Sequence, residues 1–485
     1  MKKRYIAVLL ASLSLTGINC KKYLDINTDP NNPLSVSEAL VLAPVEVTLS
    51  TNIVGGFSGT TSAYWMQYLS LNQPSPNVET YRLLPADVDN TWSFYTYPNA
   101  LYNLNNMITQ AEAAGHMGYA AIGKALTAYT LAVTSDVWGD IPYSQAFQIK
   151  TNLKPTYDSQ ESIFTTVQGL LDSAIYYTNQ APGAIEPGSD DYIFGGDMDK
   201  WRKFIYFLKA RYALRLTKAP GHTATAQADI ALAALTNAFA GNEDNALVPY
   251  PGTPSAENPW YENTLPGAGG VVLGESFVNT LKTKSDPRLP IFATENNVGE
   301  YVGRPAGIDA VPDPSDFSSV NTFYGGYLPD DPDNSAGAAA SVYLATYAEQ
   351  LFMEAEATFY KSGAAAADLI YRAAIAAQMD LLGVAAGDRD AYIAARPALT
   401  DATALEQIIN EKYIANFLNL EAYNDWRRTG FPVLVAASDA IDPKGIPLRQ
   451  AYSTTEASLN GDNYKAAVAA MGGSDNNYVK VWWNK

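Results

Sequence analysis

Residues 101–133, LYNLNNMITQAEAAGHMGYAAIGKALTAYTLAV, decide the fold class. Apolar positions recur three and four residues apart on either side of Gly115 and Gly118, the spacing that lines one face of a helix, so the stretch predicts two helices joined tightly. The period returns four more times. From Ser162 to Tyr177 it runs through Ile163, Phe164, Val167, Leu170, Leu171, Ala174 and Ile175, with Asp158 or Ser159 placed to cap the helix. From Trp201 to Leu216 it runs through Phe204, Ile205, Leu208 and Tyr212. Tyr343, Tyr347, Leu351, Ala355 and Phe359 form a stripe of i, i+4 steps, with Glu349, Glu354 and Glu356 off it and Gly363 at its end. Leu405, Ile408, Ile409, Tyr413 and Phe417 form another. Helix pairs that each bury one face on a neighbour are the unit of tetratricopeptide-like stacks, although no strict repeat of about 34 residues can be read. The expected fold is therefore mostly α, built of tetratricopeptide-like helical hairpins.

One region departs from this pattern. Between about 241 and 340, prolines from Pro249 to Pro332 interrupt any long helix and glycines are frequent, which predicts a large, irregular, loop-rich insertion. Its Trp260, Tyr261, Tyr301, Phe323, Tyr324 and Tyr327 argue for ordered loops.

The first twenty residues set the compartment. Lys2, Lys3 and Arg4 precede an apolar run, Ile6 to Leu15, too short to span a bilayer, so residues 1–19 read as a secretory signal peptide. Cys20 follows at once and is the only cysteine in the chain, which excludes an internal disulfide and marks it as the residue to carry lipid at a lipoprotein cleavage site. Residues 20–36 would then be a lipidated tether and 37–485 a single folded domain. With Lys+Arg 32 against Asp+Glu 50, the 485-residue chain has a net charge of −18. That repels nucleic acid and anionic lipid alike, so any hold on a membrane must come from acyl chains. Tyr 32 exceeds Phe 16 plus Trp 8; a ring that packs on one face and keeps a wet hydroxyl suits sugar or peptide surfaces as well as half-buried packing.

Five motifs, in order, carry a resemblance. They are Cys20-Lys21-Lys22-Tyr23-Leu24-Asp25-Ile26-Asn27-Thr28-Asp29-Pro30-Asn31; Thr134-Ser135-Asp136-Val137-Trp138-Gly139-Asp140-Ile141-Pro142-Tyr143-Ser144; Tyr347-Ala348-Glu349 with Glu354-Ala355-Glu356-Ala357; Glu411-Lys412-Tyr413-Ile414-Ala415 with Asn424-Asp425-Trp426-Arg427-Arg428-Thr429-Gly430; and Ile446-Pro447-Leu448-Arg449 with the closing Val481-Trp482-Trp483-Asn484-Lys485. The chain resembles the SusD/RagB family of Bacteroidetes surface lipoproteins, in its SusD-like branch. The resemblance implies a cell-surface outer-membrane lipoprotein that binds an oligosaccharide, or in some members a peptide, and delivers it to a SusC-like TonB-dependent barrel.

Read as residues, the Asp136–Tyr143 motif is a turn after a helix, with Trp138 as an apolar plug. Arg427 and Arg428, near Asp425, Glu421 and Glu411, predict an ion-pair network that locks the last helix in place. Trp482 and Trp483 are expected to pin the C-terminal end. For ligand, a pyranose needs an aromatic plate with polar groups at its rim. Trp65, Tyr81, Arg82, Trp92 and Tyr95 supply that chemistry early in the chain, and Trp260, Tyr324 and Tyr327 form the competing loop set; core packing is the alternative for each. Enzyme chemistry lacks parts. His116 and His222 stand apart from any Gly-x-Ser-x-Gly or His-Glu-x-x-His pattern, and Gly55-Gly56-Phe57-Ser58-Gly59 has no phosphate-binding lysine. The expectation is a binder with no catalytic residue, cofactor or metal. A two-carboxylate glycoside hydrolase is the alternative that inventory leaves open, and a stand-alone scaffold or adhesin the third.

Overall fold

Small side chains let one helix run through the centre of the molecule. Met117–Trp138 carries Ala120, Ala121, Gly123, Ala125, Ala128 and Ala132, and every residue from Gly118 to Trp138 except Lys124 is buried. A Cβ on Gly123 would stand 2.6 Å from the Ile108 side chain, so glycine there admits the neighbouring helix Asn103–Ala114 at close range. Gly115 ends that helix in the left-handed conformation (φ 78°), and His116 leads into the next. Gly118, expected in the joint, lies instead in the first turn of the long helix.

The structure, a computed structural model, describes residues 36–148, 150–265, 270–328 and 335–485. The residues expected as signal peptide (1–19), Cys20 and nearly all of the expected tether fall outside the described residues. Gln160–Thr178 packs along Met117–Trp138, and its cap is the Ser159 hydroxyl, which accepts from the Ser162 N–H. Asp158, the other candidate, instead accepts from the Tyr143 and Ser144 N–H groups and ties down the turn after Trp138. Met198–Arg215 lies against Gln160–Thr178 and Ala224–Leu235, and Tyr347–Ser362 folds back on Ala364–Leu381 across Gly363 (φ 85°). The architecture is mostly helical and hairpin-based, as the 3.6-residue period predicts.

Residues 241–340, expected as a loop-rich insertion, are tied into the body at several points. They hold the short helices Pro259–Thr264 and Glu275–Thr283 and two strands, each paired antiparallel with a remote strand: Val271–Leu273 with Leu69–Leu71, and Ala246–Val248 with Val342–Ala345. Two buried arginines complete the attachment. Arg304 donates to Glu79 (3.2 Å), Ser70 (2.9 Å) and the Ile308 carbonyl (2.7 Å), and Arg288 to Asp286 (2.6 Å), Glu411 (2.9 Å) and Gln378 (2.9 Å).

The closing helices Ala404–Ala415 and Glu421–Thr429 sit over a buried ionic cluster. Arg428 pairs with Glu356 (2.8 Å) and Asp425 (2.9 Å), Lys412 with Asp425 (2.8 Å), Arg211 with Glu349 (2.7 Å), and Arg215 with Asp136 (3.3 Å) and Glu421. The expected lock is present: Arg428 meets the expected Asp425 and Glu421 lies in the cluster, whereas Glu411 and Arg427 take other partners. Glu349 and Glu356, read as lying off the apolar stripe, are fully buried. Glu411 serves Lys284 and Arg288, and Arg427 donates to the carbonyls of Asp136 and Leu448 (2.6 and 2.9 Å). Charges so deeply buried are tolerable only because each meets an opposite charge or a hydrogen-bond partner. Trp483 fills the space beside Arg427 (4.7 Å from ring centroid to guanidinium) and Arg215 (5.4 Å), and pins the C-terminal end.

Candidate functional site

A sugar-binding plate must show a ring face to solvent, and most of the expected plates do not. Trp65 is 1% exposed, with its indole N–H donated to the Val78 carbonyl (3.1 Å), and Trp92 is 2% exposed, with its N–H on Glu456 (3.2 Å). Both belong to the core, because each indole is wedged among other rings: Trp65 against Tyr423, and Trp92 against Trp138 and Tyr452. Trp260 is buried in its short helix, and Tyr324 stacks on Phe292 (5.2 Å) with its hydroxyl toward Gln378. Tyr95 is half-buried beside Phe94. Tyr327, half-buried, lines a cleft of about 830 Å³ with Glu295, Asn296, Asp313 and Phe317.

Tyr81 and Arg82 lead to a different place. They line a hollow of about 330 Å³ together with Asp442, Lys444, Asn476 and Tyr478. A second hollow, about 420 Å³, adjoins it and is walled by Trp426, Leu434, Ile446, Leu448 and again Lys444 and Tyr478. The Lys444 ammonium lies 5.1 Å from the Tyr478 ring centroid, a cation–π contact that divides the two hollows. Tyr81 is in the wall rather than at the surface, because its hydroxyl accepts the Ala437 N–H (2.8 Å). Arg82 is exposed.

Trp426 and Tyr478 are the ring faces of this groove, and sequence reasoning missed both as plates. Trp426 is the half-buried member of an otherwise buried run, Glu421–Arg428. Its orientation follows from helix phase: Asp425 and Arg428 turn inward to the ionic cluster, which leaves position 426 to face out. Behind it the rings are layered. Tyr423 lies nearly parallel to Trp426 (15°, 6.1 Å), and Trp65 meets Tyr423 edge-on (5.5 Å), so the expected plate Trp65 is two rings beneath the exposed one. Burial pushes the Tyr478 phenol up to about 12, helped by Asp442 and Tyr81, so it stays a neutral hydroxyl.

The polar groups of the groove are unevenly occupied. Asp475 accepts from Arg449 (2.5 Å) and from the Tyr464 hydroxyl (3.1 Å). Asn477 accepts from the Ala451 N–H and donates to the Leu83 carbonyl, and Asn476 accepts from the Tyr478 N–H and donates to Ser474. Asp442 faces Lys444 at 3.3 Å. In the larger cleft, the Ser315 N–H and hydroxyl hold the Asp313 carboxyl below its ordinary value. A general acid for glycoside cleavage needs the opposite shift. Among the described residues, no group of three His, Cys, Asp or Glu side chains is placed to hold a metal ion.

Hairpin stack and ringed groove together define the class: a helical scaffold that presents a surface site suited to holding a ligand. The family described as "Starch-binding associating with outer membrane", SusD-like, matches residues 30–453, and the chain belongs to it. Solved structures agree on the fold. A chitin-binding protein superposes with a TM-score of 0.79 at 24% identity, covering 92% of this chain and 100% of its own. A chitin-binding SusD homolog from Flavobacterium johnsoniae gives 0.76 at 24% identity, with 92% and 96% covered. A SusD/RagB family protein from Bacteroides thetaiotaomicron gives 0.75 at 22%, with 93% and 99% covered. No curated protein sequence matches the chain.

Proposed function

We propose that this protein is a surface-exposed outer-membrane lipoprotein, anchored through Cys20, that binds a nutrient oligosaccharide and delivers it to a SusC-like TonB-dependent barrel without cleaving it. Residues 37–485 act as one unit, and the groove between Trp426 and Arg82 is the binding site. The observation that carries the reading is the pair of adjoining hollows with Trp426 and Tyr478 as ring faces on a scaffold of a starch-binding family. Ring faces take the C–H face of a pyranose, and the polar groups between them can take hydroxyls.

The test is calorimetric titration of the protein lacking residues 1–20 with chito- and malto-oligosaccharides, alongside chromatography of the incubated sugar. Binding that Trp426→Ala weakens, with the sugar recovered intact, supports the reading. Release of shorter products points to a hydrolase instead. Delivery is tested by mild-detergent purification from outer membranes of cells grown on the inducing nutrient, where a large β-barrel should accompany the lipoprotein.

A further inference from the structure

Apart from the buried Tyr478 hydroxyl, which has no hydrogen-bond partner among the described residues, the spare hydrogen-bonding capacity of the groove is largely cationic. Its carboxylates and amides are largely engaged: Asp475 by Arg449 from behind, Asp442 by Lys444, and Asn476 and Asn477 by backbone and Ser474. Arg82 differs from them. Its backbone N–H donates to the Asn77 carbonyl, but its exposed guanidinium makes no hydrogen bond or ion pair among the described residues. In a chain of net charge −18, where Arg211, Arg215, Arg288, Arg304, Arg428 and Arg449 all hold carboxylates, an arginine left free on the wall of a hollow is the exception. Lys444, 61% exposed, keeps donors free as well, since Asp442 and the Tyr478 face occupy only part of its ammonium.

A neutral glycan can place hydroxyl oxygens on these donors, but with an uncharged acceptor each such bond is the weaker kind. A saccharide carrying a carboxylate offers two acceptor oxygens in the planar spacing a guanidinium fork matches. We infer that the groove is selective for an acidic saccharide: a uronic-acid unit places its carboxylate on Arg82, and Lys444 receives a second acceptor across the divide. This rests on the reading of the groove as a saccharide site and specifies the class of sugar.

The probes are oligogalacturonate and the same oligomer with its carboxylates methyl-esterified, titrated into the protein lacking residues 1–20. The acid form should bind about tenfold or more tighter, as expected for one charge-assisted bidentate contact. Raising salt from about 0.05 to about 0.5 M should weaken the acid form and leave the ester unchanged. Arg82→Gln should abolish the preference and Arg82→Lys restore part of it; the position is exposed, so folding is not at stake. Equal affinity for acid and ester, or an Arg82→Gln loss of equal size for both, overturns the inference while the saccharide reading stands. Failure of both forms and of neutral oligosaccharides to bind overturns the two together.

Discussion

The helix Glu421–Thr429 separates two assemblies of the same chemistry. On its inner side Arg428, Arg215 and Lys412 meet Glu356, Asp425, Glu421 and Asp136, and each cation has its anion. On its outer side Trp426 borders a groove where Arg82 has none among the described residues. Below the helix, charge that went unmatched would cost several kcal/mol per ion, so sequence and packing answer it residue by residue. Above it, water covers the cost until a ligand arrives. The difference is what separates a group that holds the fold from one that can recognise something.

The contrast can be broken from the inside first. Arg428→Ala leaves Glu356 and Asp425 buried without their partner and should cost about 3–5 kcal/mol, read as a lower midpoint in urea. Trp65→Ala and Trp92→Ala should cost about as much, because both rings are core. A loss of sugar binding with stability near wild type for either one would return them to the surface.

Acid probes the same side more gently. Burial alone would raise the Glu411 and Asp425 carboxyls, but Lys284 and Arg288 hold the first, and Lys412 and Arg428 the second, at about 2. Their folded values lie below the unfolded ones of about 4, so each contributes roughly 2–3 kcal/mol that is fully present above pH ~4 and is lost as pH falls toward ~2. Burial acts the other way on Asp136, raised to about 6, and on Glu349, so the test lies below their range: urea midpoints between pH ~4 and ~2 should fall, and a flat profile there would contradict the pairing. On the outer side the effects on folding shrink. Trp426→Ala should weaken oligosaccharide binding by about 1–2 kcal/mol with a smaller effect on stability. Arg82→Gln should change stability by less than about 0.5 kcal/mol.

Much of the fold was legible because helical period survives in a single sequence: the stripes at 101–133, 163–175 and 204–216 became the hairpins. The short elements within residues 241–340 were not legible, because their order comes from remote partners. A three-residue strand such as Val271–Leu273 has no local signature, and it exists by pairing with Leu69–Leu71 some two hundred residues earlier. The irregular helical turns at Thr48–Val54 and Thr91–Tyr102 left no mark either. The candidate groove was half visible. Tyr81 and Arg82 stood out as a ring beside a guanidinium, whereas Trp426 sat in a motif read for its charges, and nothing local distinguishes it from the buried Trp65. Which of two tryptophans faces out is decided by neighbouring elements, here the counter-charges Lys412 and Glu356 that draw Asp425 and Arg428 inward.

The layered rings behind the groove bear on how fast and how tightly it would grip. Trp426 rests on Tyr423, which rests on Trp65, and the Arg427 guanidinium lies 4.2 Å from the centre of the Tyr423 ring, so the outermost indole is already immobilised by the column beneath it. A sugar bound there, as proposed, would have no swinging side chain to arrest. The entropy that a loose tryptophan would surrender on contact is spent once, during folding, and remains available as affinity in every later encounter.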